Sequence, residues 1–243
     1  MAYQLGRFVW FELVTPDVDD AKRFWTEAAG FGTSESDVAG QPYLRLQSGD
    51  QVVGGVVAPR MEGVPPHVTA YLSVADVDAA ARAVVEAGGR VIVPGTDLPI
   101  GRFAVVADPQ GATFQLWRGR TGDEGAATGV RWMELWTGDA EAALGFYQRV
   151  FGFGRETMQM PSGPYHMLQV EDTAVAGVMT SPDAKVPPMW LPYLLVEDVD
   201  QVVANARRLG GAVHAEPMSV EGVGRFAIVA DRQGLVAGVL KRP

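Results

Sequence analysis

The sequence predicts an α+β fold built from four tandem βαβββ modules grouped into two domains. Three observations predict it. An internal repeat of 122 residues spans nearly the whole 243-residue chain, and a weaker repeat of 59 residues lies inside each copy. Each of the four resulting segments also sets one amphipathic helical run, opened at Asp and stopped at Gly, among short apolar strand runs.

The long repeat is explicit. Trp10-Phe11-Glu12-Leu13 returns as Trp132-Met133-Glu134-Leu135, Asp17 as Asp139, Gly30-Phe31-Gly32 as Gly152-Phe153-Gly154, Tyr43 as Tyr165, Pro65-Pro66 as Pro187-Pro188 and Tyr71 as Tyr193, all at an offset of 122. Gly101-Arg102-Phe103-Ala104 returns as Gly224-Arg225-Phe226-Ala227 and Asp108 as Asp231 at 123, so one residue is inserted late in the second copy. Between the copies, a segment rich in Gly, Thr and charge has no apolar period and reads as a linker. The expected domains are therefore 1–118 and 129–243, joined by a linker over 119–128. The short repeat aligns Asp17 with Asp76, Gly30 with Gly89, Asp139 with Asp198 and Gly152 with Gly211.

Within a module the order of elements follows from local signals. The first apolar strand ends at a turn whose Asp supplies N-cap chemistry. After Asp17, the run Ala21, Phe24, Trp25, Ala28 keeps the i, i+3, i+4, i+7 spacing of one helical face, and Gly30 ends it. The same grammar predicts helices near 77–87, 140–150 and 199–209. The strands that follow each helix are divided by clusters such as Ala39-Gly40-Gln41-Pro42 and Gln47-Ser48-Gly49-Asp50.

Composition narrows the function classes. With 20 Lys and Arg against 29 Asp and Glu, the formal charge is −9, which disfavours nucleic acid and anionic lipid surfaces. The chain has no Cys, so disulfides, thiolate metal sites and Cys nucleophiles are excluded. The start MAYQLGRFVWFEL lacks the pattern of a secretion signal, and no 18-residue uncharged run occurs, so a cytoplasmic protein is expected, monomeric or homodimeric, without a membrane partner. Phosphate-cradling Gly loops, a Gly-x-Ser-x-Gly elbow and His-Glu-x-x-His pairs are also missing from the sequence.

Four tandem βαβββ modules, with the signature Ala107-Asp108-Pro109-Gln110-Gly111-Ala112-Thr113-Phe114-Gln115-Leu116, resemble the vicinal oxygen chelate superfamily of glyoxalase I, bleomycin-resistance proteins and extradiol dioxygenases. The two-domain chain is similar to the actinobacterial type labelled glyoxalase-like hydroxylase. The resemblance implies two glyoxalase-like domains with curved mixed sheets, helices on the convex faces and a ligand in the concave cup. In metal-using relatives the ion is held by His or Glu near the middle of each module's first strand and by a Glu in the final strand, inside that terminal signature. The matching positions here are Trp10, Thr69 and Gln115 in the first copy, and Trp132, Leu191 and Gly238 in the second. Trp, Leu and Gly offer a divalent ion nothing, so no metal is expected. Only a two-step strand slip, recruiting Glu12 and His67, would supply donors.

Strand alternation assigns the faces. Val9, Phe11 and Leu13 suit the helix side, leaving Trp10 and Glu12 to the cup; Met133 and Leu135 likewise leave Trp132, Glu134 and Trp136. His67, Thr69, Tyr71 and Ser73 face inward, as do Gln115 and Trp117 and, in the second copy, Met189, Leu191 and Tyr193. The cup is thus aromatic with a few polar groups, the composition of a site for a flat organic molecule. Glu12 and Glu134, flanked by apolar residues, are candidates for proton transfer or for accepting a ligand hydroxyl. Alternatively each Glu pairs with an Arg such as Arg102 or Arg225 and ties modules together. His67 is a candidate base. Tyr165, His166 and the two arginines complete the candidate ligand contacts.

Two functions follow. The first is metal-independent binding of a small hydrophobic or aromatic molecule, in the manner of a bleomycin-resistance protein. The alternative is an enzyme, hydroxylase-like or a lyase or isomerase, acting on an aromatic or polyketide-like metabolite with a Glu as proton shuttle. Domain one, richer in polar cup residues, is the expected seat of any chemistry.

Overall fold

The computed structural model describes residues 2–38, 40–59, 62–123, 132–160 and 163–243. Half of the expected linker, residues 124–128, therefore lies outside the described residues. Among them, each module has the predicted order. The first has β1 (Phe8–Val14), α1 (Val18–Ala29), β2 (Gly32–Val38), β3 (Gln41–Ser48) and β4 (Gln51–Val57). The second has β5 (His67–Ser73), α2 (Val77–Glu86), β6 (Arg90–Leu98), β7 (Gly101–Ala107) and β8 (Thr113–Gly119). The third has β9 (Trp132–Thr137), α3 (Ala140–Phe151), β10 (Gly154–Met160), β11 (Gly163–Val170) and β12 (Thr173–Thr180). The fourth has β13 (Met189–Leu195), α4 (Val199–Arg208), β14 (Ala212–Val220), β15 (Gly224–Ala230) and β16 (Val236–Lys241).

The strands form two eight-stranded mixed sheets of identical order, β2-β3-β4-β1-β5-β8-β7-β6 and β10-β11-β12-β9-β13-β16-β15-β14. Within every module the first strand runs parallel to the last, because the helix between them carries the chain back across the sheet.

The helices begin and end for the reasons the sequence suggests. Asp17, Asp76, Asp139 and Asp198 are the N-caps, each accepting a hydrogen bond from the backbone N–H three residues on. Gly30 and Gly152 end α1 and α3 in the left-handed conformation. In the even modules the left-handed residue is Gly88 or Gly210, one position before the aligned glycine. Gly89 and Gly211 are needed for a different reason: a Cβ there would lie 2.6 or 2.4 Å from the carbonyl oxygen of Ala107 or Ala230.

The chain divides into two compact units. One holds the described residues of 1–10, 69–126 and 132–190, and the other those of 11–68 and 191–243. In the second unit the apolar face of α1 (Ala21, Phe24, Trp25, Ala28) shares a core with Val199, Val202, Val203 and Ala206 of α4. Asn205 Nδ2 donates to the Ala28 carbonyl across the same pair of helices. In the first unit α3 supplies Tyr147, whose ring packs against Phe114 and Trp190 with centroids 5.7 and 5.4 Å apart. Its hydroxyl donates to Asp108 and accepts from Trp190 Nε1.

The terminal signature is a turn device. Asp108 Oδ1 accepts from the backbone N–H of Gln110, Gly111 and Ala112, which closes the β7–β8 turn. Asp231 does the same for Gln233 and Leu235 before β16. Burial pushes both carboxyls above the ordinary aspartate range. No described helix is long and apolar enough to cross a membrane.

Candidate functional site

The third module brings the largest set of predicted site residues together. Met133 and Leu135 of β9 are fully buried on the helix side, which turns Trp132, Glu134 and Trp136 to the opposite, concave face. On β11, Leu168 is buried in the core and Tyr165 takes the concave side. Tyr165 Oη donates to Glu134 Oε2 at 2.7 Å and accepts from Trp132 Nε1 at 2.9 Å. Trp136 Nε1 donates to Glu134 Oε1 at 2.8 Å. Glu134 is 4% exposed, so its two oxygens are held by an indole and a phenol rather than by bulk water. Burial, reinforced by the Glu134 charge, pushes the Tyr165 hydroxyl far above its ordinary range, so it remains a donor rather than a base.

A residue that the sequence does not single out makes this possible. Gly177 of β12 lies opposite Glu134, and a Cβ on it would stand 2.0 Å from Tyr165 Oη. The phenol thus occupies the space of a missing side chain. The first module repeats the arrangement in the other unit. Gly55 lies opposite Glu12, its Cβ would stand 2.1 Å from Tyr43 Oη, and Tyr43 Oη donates to Glu12 Oε1 at 2.8 Å. Glu, Tyr and Gly therefore recur together at one offset; in the sequence the Glu and Tyr stand out, while the Gly is lost among 29 glycines.

Around this shared core the modules differ. Register places Met158, Met167 and Met179 on the face of Tyr165, Gly177 and Trp136. The counterparts in the first module are Ser36, Arg45 and Val57, and Val14 stands where Trp136 does. In the second module Tyr71 lies opposite Gln115 and meets Trp117 edge to face at 5.9 Å. Thr69 and Gln115 are both buried. In the fourth module Tyr193 lies opposite Gly238, whose Cβ would lie 2.6 Å from the ring, and meets Phe226 at 6.0 Å.

Other candidates sit elsewhere. Arg102 is bidentate on Asp78 in the first turn of α2 and also meets Asp97, and Arg225 is bidentate on Asp200 of α4. Both arginines thus tie a strand to a helix start. His166 is buried on the face opposite its neighbour Tyr165. Its Nδ1 is 2.9 Å from Thr157 Oγ1 and its Nε2 3.7 Å from Glu141 of α3. Adjacent strand residues point to opposite faces, so Tyr165 and His166 do not share a cup. His67, at the start of β5, meets the Pro65 carbonyl through Nδ1 at 2.9 Å. Trp10 is half-buried on the same side of β1 as Glu12.

The donor set does not fit a divalent ion. The positions expected from the resemblance carry Trp10, Thr69, Gln115, Trp132, Leu191 and Gly238, and the Tyr193 ring closes over the last of these. Among the described residues no three His, Asp or Glu side chains converge on one point.

The comparisons with known proteins agree with this architecture. The profile of the Glyoxalase/Bleomycin resistance protein/Dioxygenase superfamily matches the chain twice, over residues 7–116 and 129–237. The chain belongs to that superfamily. It is 36% identical over 253 residues to "Putative glyoxylase CFP32" of Mycobacterium tuberculosis (strain CDC 1551 / Oshkosh), covering 98% of this chain and 96% of that protein. It is 33% identical over 255 residues to "Anthracycline biosynthesis protein DauV" of Streptomyces sp. (strain C5), covering 94% and 90%. The Mn(II)-bound glyoxalase of Novosphingobium aromaticivorans shares the fold with a TM-score of 0.65 at 17% identity, covering 98% of this chain and 82% of that one.

Proposed function

We propose that this chain binds a planar, hydroxylated polycyclic aromatic molecule on the concave face of its third module, without a protein-bound metal. The observation that carries the reading is the closed network of Trp132, Tyr165, Glu134 and Trp136, set in a surround of methionines. Indole and phenol rings held by hydrogen bonds give a flat ligand a pre-ordered stacking surface. Thioethers fill irregular gaps and favour ring edges, which suits a ligand of extended π surface. The similarity to a protein named for anthracycline biosynthesis supports the same ligand class. The residues at the family's metal positions support metal independence.

The test is titration with 1,4-dihydroxyanthraquinone, followed by tryptophan quenching, on protein stripped with chelator and checked by elemental analysis. Micromolar binding that Tyr165→Phe and Trp136→Val each weaken by about tenfold is the expected result. Binding that appears only after manganese, iron or zinc is restored defeats the reading.

One observation favours an enzymatic second reading at the first module. Glu12 is half-buried, whereas Glu134 is nearly fully buried. A carboxylate that a bound molecule can reach is able to exchange a proton with it. Glu12→Gln that abolishes turnover of a hydroxyanthraquinone while leaving its affinity intact supports this reading. Wild-type protein without turnover on such ligands excludes it.

A further inference from the structure

We infer that the concave face of the first module is a second ligand site, selective for a planar aromatic carboxylate that Arg45 grips at one end while Glu12 accepts a hydroxyl at the other. The inference extends the reading above to a different module and a different ligand charge, and it stands on its own residues.

The alternation of β3 dictates where Arg45 goes. Leu44 and Leu46 belong to the core of their unit, so Tyr43 and Arg45 emerge on the opposite face. Arg45 lies opposite Gly55, and Gly55 opposite Glu12, so the cation and the carboxylate are in register across three strands. The middle residue has no side chain, and the space above it is crossed by the Tyr43 hydroxyl on its way to Glu12. Arg45 Nε is buried and has no hydrogen-bond partner among the described residues. A buried N–H left unmet is costly, and a guanidinium fork matches a carboxylate in geometry and charge.

The acidic residues of the neighbouring strand do not serve as that partner. Glu35 is in register with Leu44, on the helix side, where it pairs with Lys22 of α1 at 3.1 Å. Ser34, in register with Arg45, brings only a hydroxyl to the concave face. The whole chain carries a net charge of −9, so general attraction does not gather anions, and among the described residues selectivity rests on Arg45. Two interstrand steps separate the Arg45 and Glu12 backbones, about 10 Å. That is roughly the span from a carboxylate to a hydroxyl at opposite ends of two fused rings. The third module has Met167 in place of Arg45, so the same scaffold there lacks the anion clamp.

The experiment uses 6-hydroxy-2-naphthoate and its uncharged carboxamide, titrated into the full chain by calorimetry above pH 6. Wild type is expected to bind the carboxylate about 10- to 100-fold more tightly than the amide, the range of a charge-assisted hydrogen bond. Arg45→Met, which copies the third module, should erase that preference, and Arg45→Lys should keep part of it. Equal affinity for the two probes in wild type, no binding of the carboxylate, or a preference that survives in Arg45→Met overturns the inference. If Arg45→Met does not fold by circular dichroism, the wild-type and Arg45→Lys ratios decide. Because 1,4-dihydroxyanthraquinone is uncharged and its site contains Tyr165 and Glu134, failure of one test leaves the other result standing.

Discussion

The first and third modules present the same Glu–Tyr–Gly core in different surroundings. In the third module an indole N–H and a phenol O–H each take one oxygen of a nearly buried Glu134, and methionines line the rest. In the first, Glu12 is half-buried, its phenol partner is retained, and serine, arginine and valine replace the methionines and the tryptophan. Duplication has preserved the part that fixes ring and carboxylate together. Around that part the concave-face residues differ in polarity, on one backbone plan.

The largest expected effect comes from attacking the shared core. Gly177→Ala forces the Tyr165 phenol off Glu134, because the new Cβ would stand 2.0 Å from its oxygen. Overpacking and the broken hydrogen bond together are expected to cost about 4 kcal/mol in denaturant unfolding, part of which Tyr165→Ala in the same chain recovers. Gly55→Ala should behave alike, and equal effects from the two would sharpen the case for one duplicated device.

Trp136→Val, which copies Val14, should come next. It deletes a large buried ring and an indole donor, and about 3 kcal/mol is expected in chemical unfolding. Val14→Trp in the first module should not confer an equal gain, because that face was packed for a smaller side chain.

Tyr→Phe separates the modules more gently. Tyr165→Phe removes one donor from a buried carboxylate and should cost about 1–3 kcal/mol, whereas Tyr43→Phe beside the more exposed Glu12 should cost less. Equal losses would refute the difference in burial between the two carboxylates.

The smallest effect concerns the buried turn aspartates. Burial raises both native carboxyls, so their stabilising contribution is full below the unfolded value of about 3.9 and is lost as pH rises through the native value. Asn at either position should flatten that decline in Tm measured from pH 4 to pH 8. Tyr147 donates to the ionised Asp108, while Asp231 Oδ2 has no partner among the described residues. Asp108→Asn should therefore cost more at pH 7 than Asp231→Asn, by on the order of 1 kcal/mol.

Much of this architecture was legible in the sequence. Repeats fix modules, Asp and Gly bracket the helices, and period-two alternation correctly puts Phe11, Leu13, Met133 and Leu135 in the core. The pairing of Glu with Tyr was within reach, because both recur at one offset. Three things were not legible. Gly55 and Gly177 matter for the room they leave, which a residue type does not announce. Arg102 and Arg225 recur like site residues, yet they bind aspartates in the first turns of helices, a role equally favoured by repetition. Compact units that join residues of the first and fourth modules, and of the second and third, depend on packing between segments distant in sequence.

The glycine beneath each tyrosine also bears on redesign. Since phenol and backbone fill one another's space, neither position mutates freely alone. Changing the pair together, Gly177→Ala with Tyr165→Ser, would trade the phenol for a methyl group and leave part of its volume open beside Glu134. That coupled exchange offers one way to ask whether a bulkier guest enters beside the carboxylate.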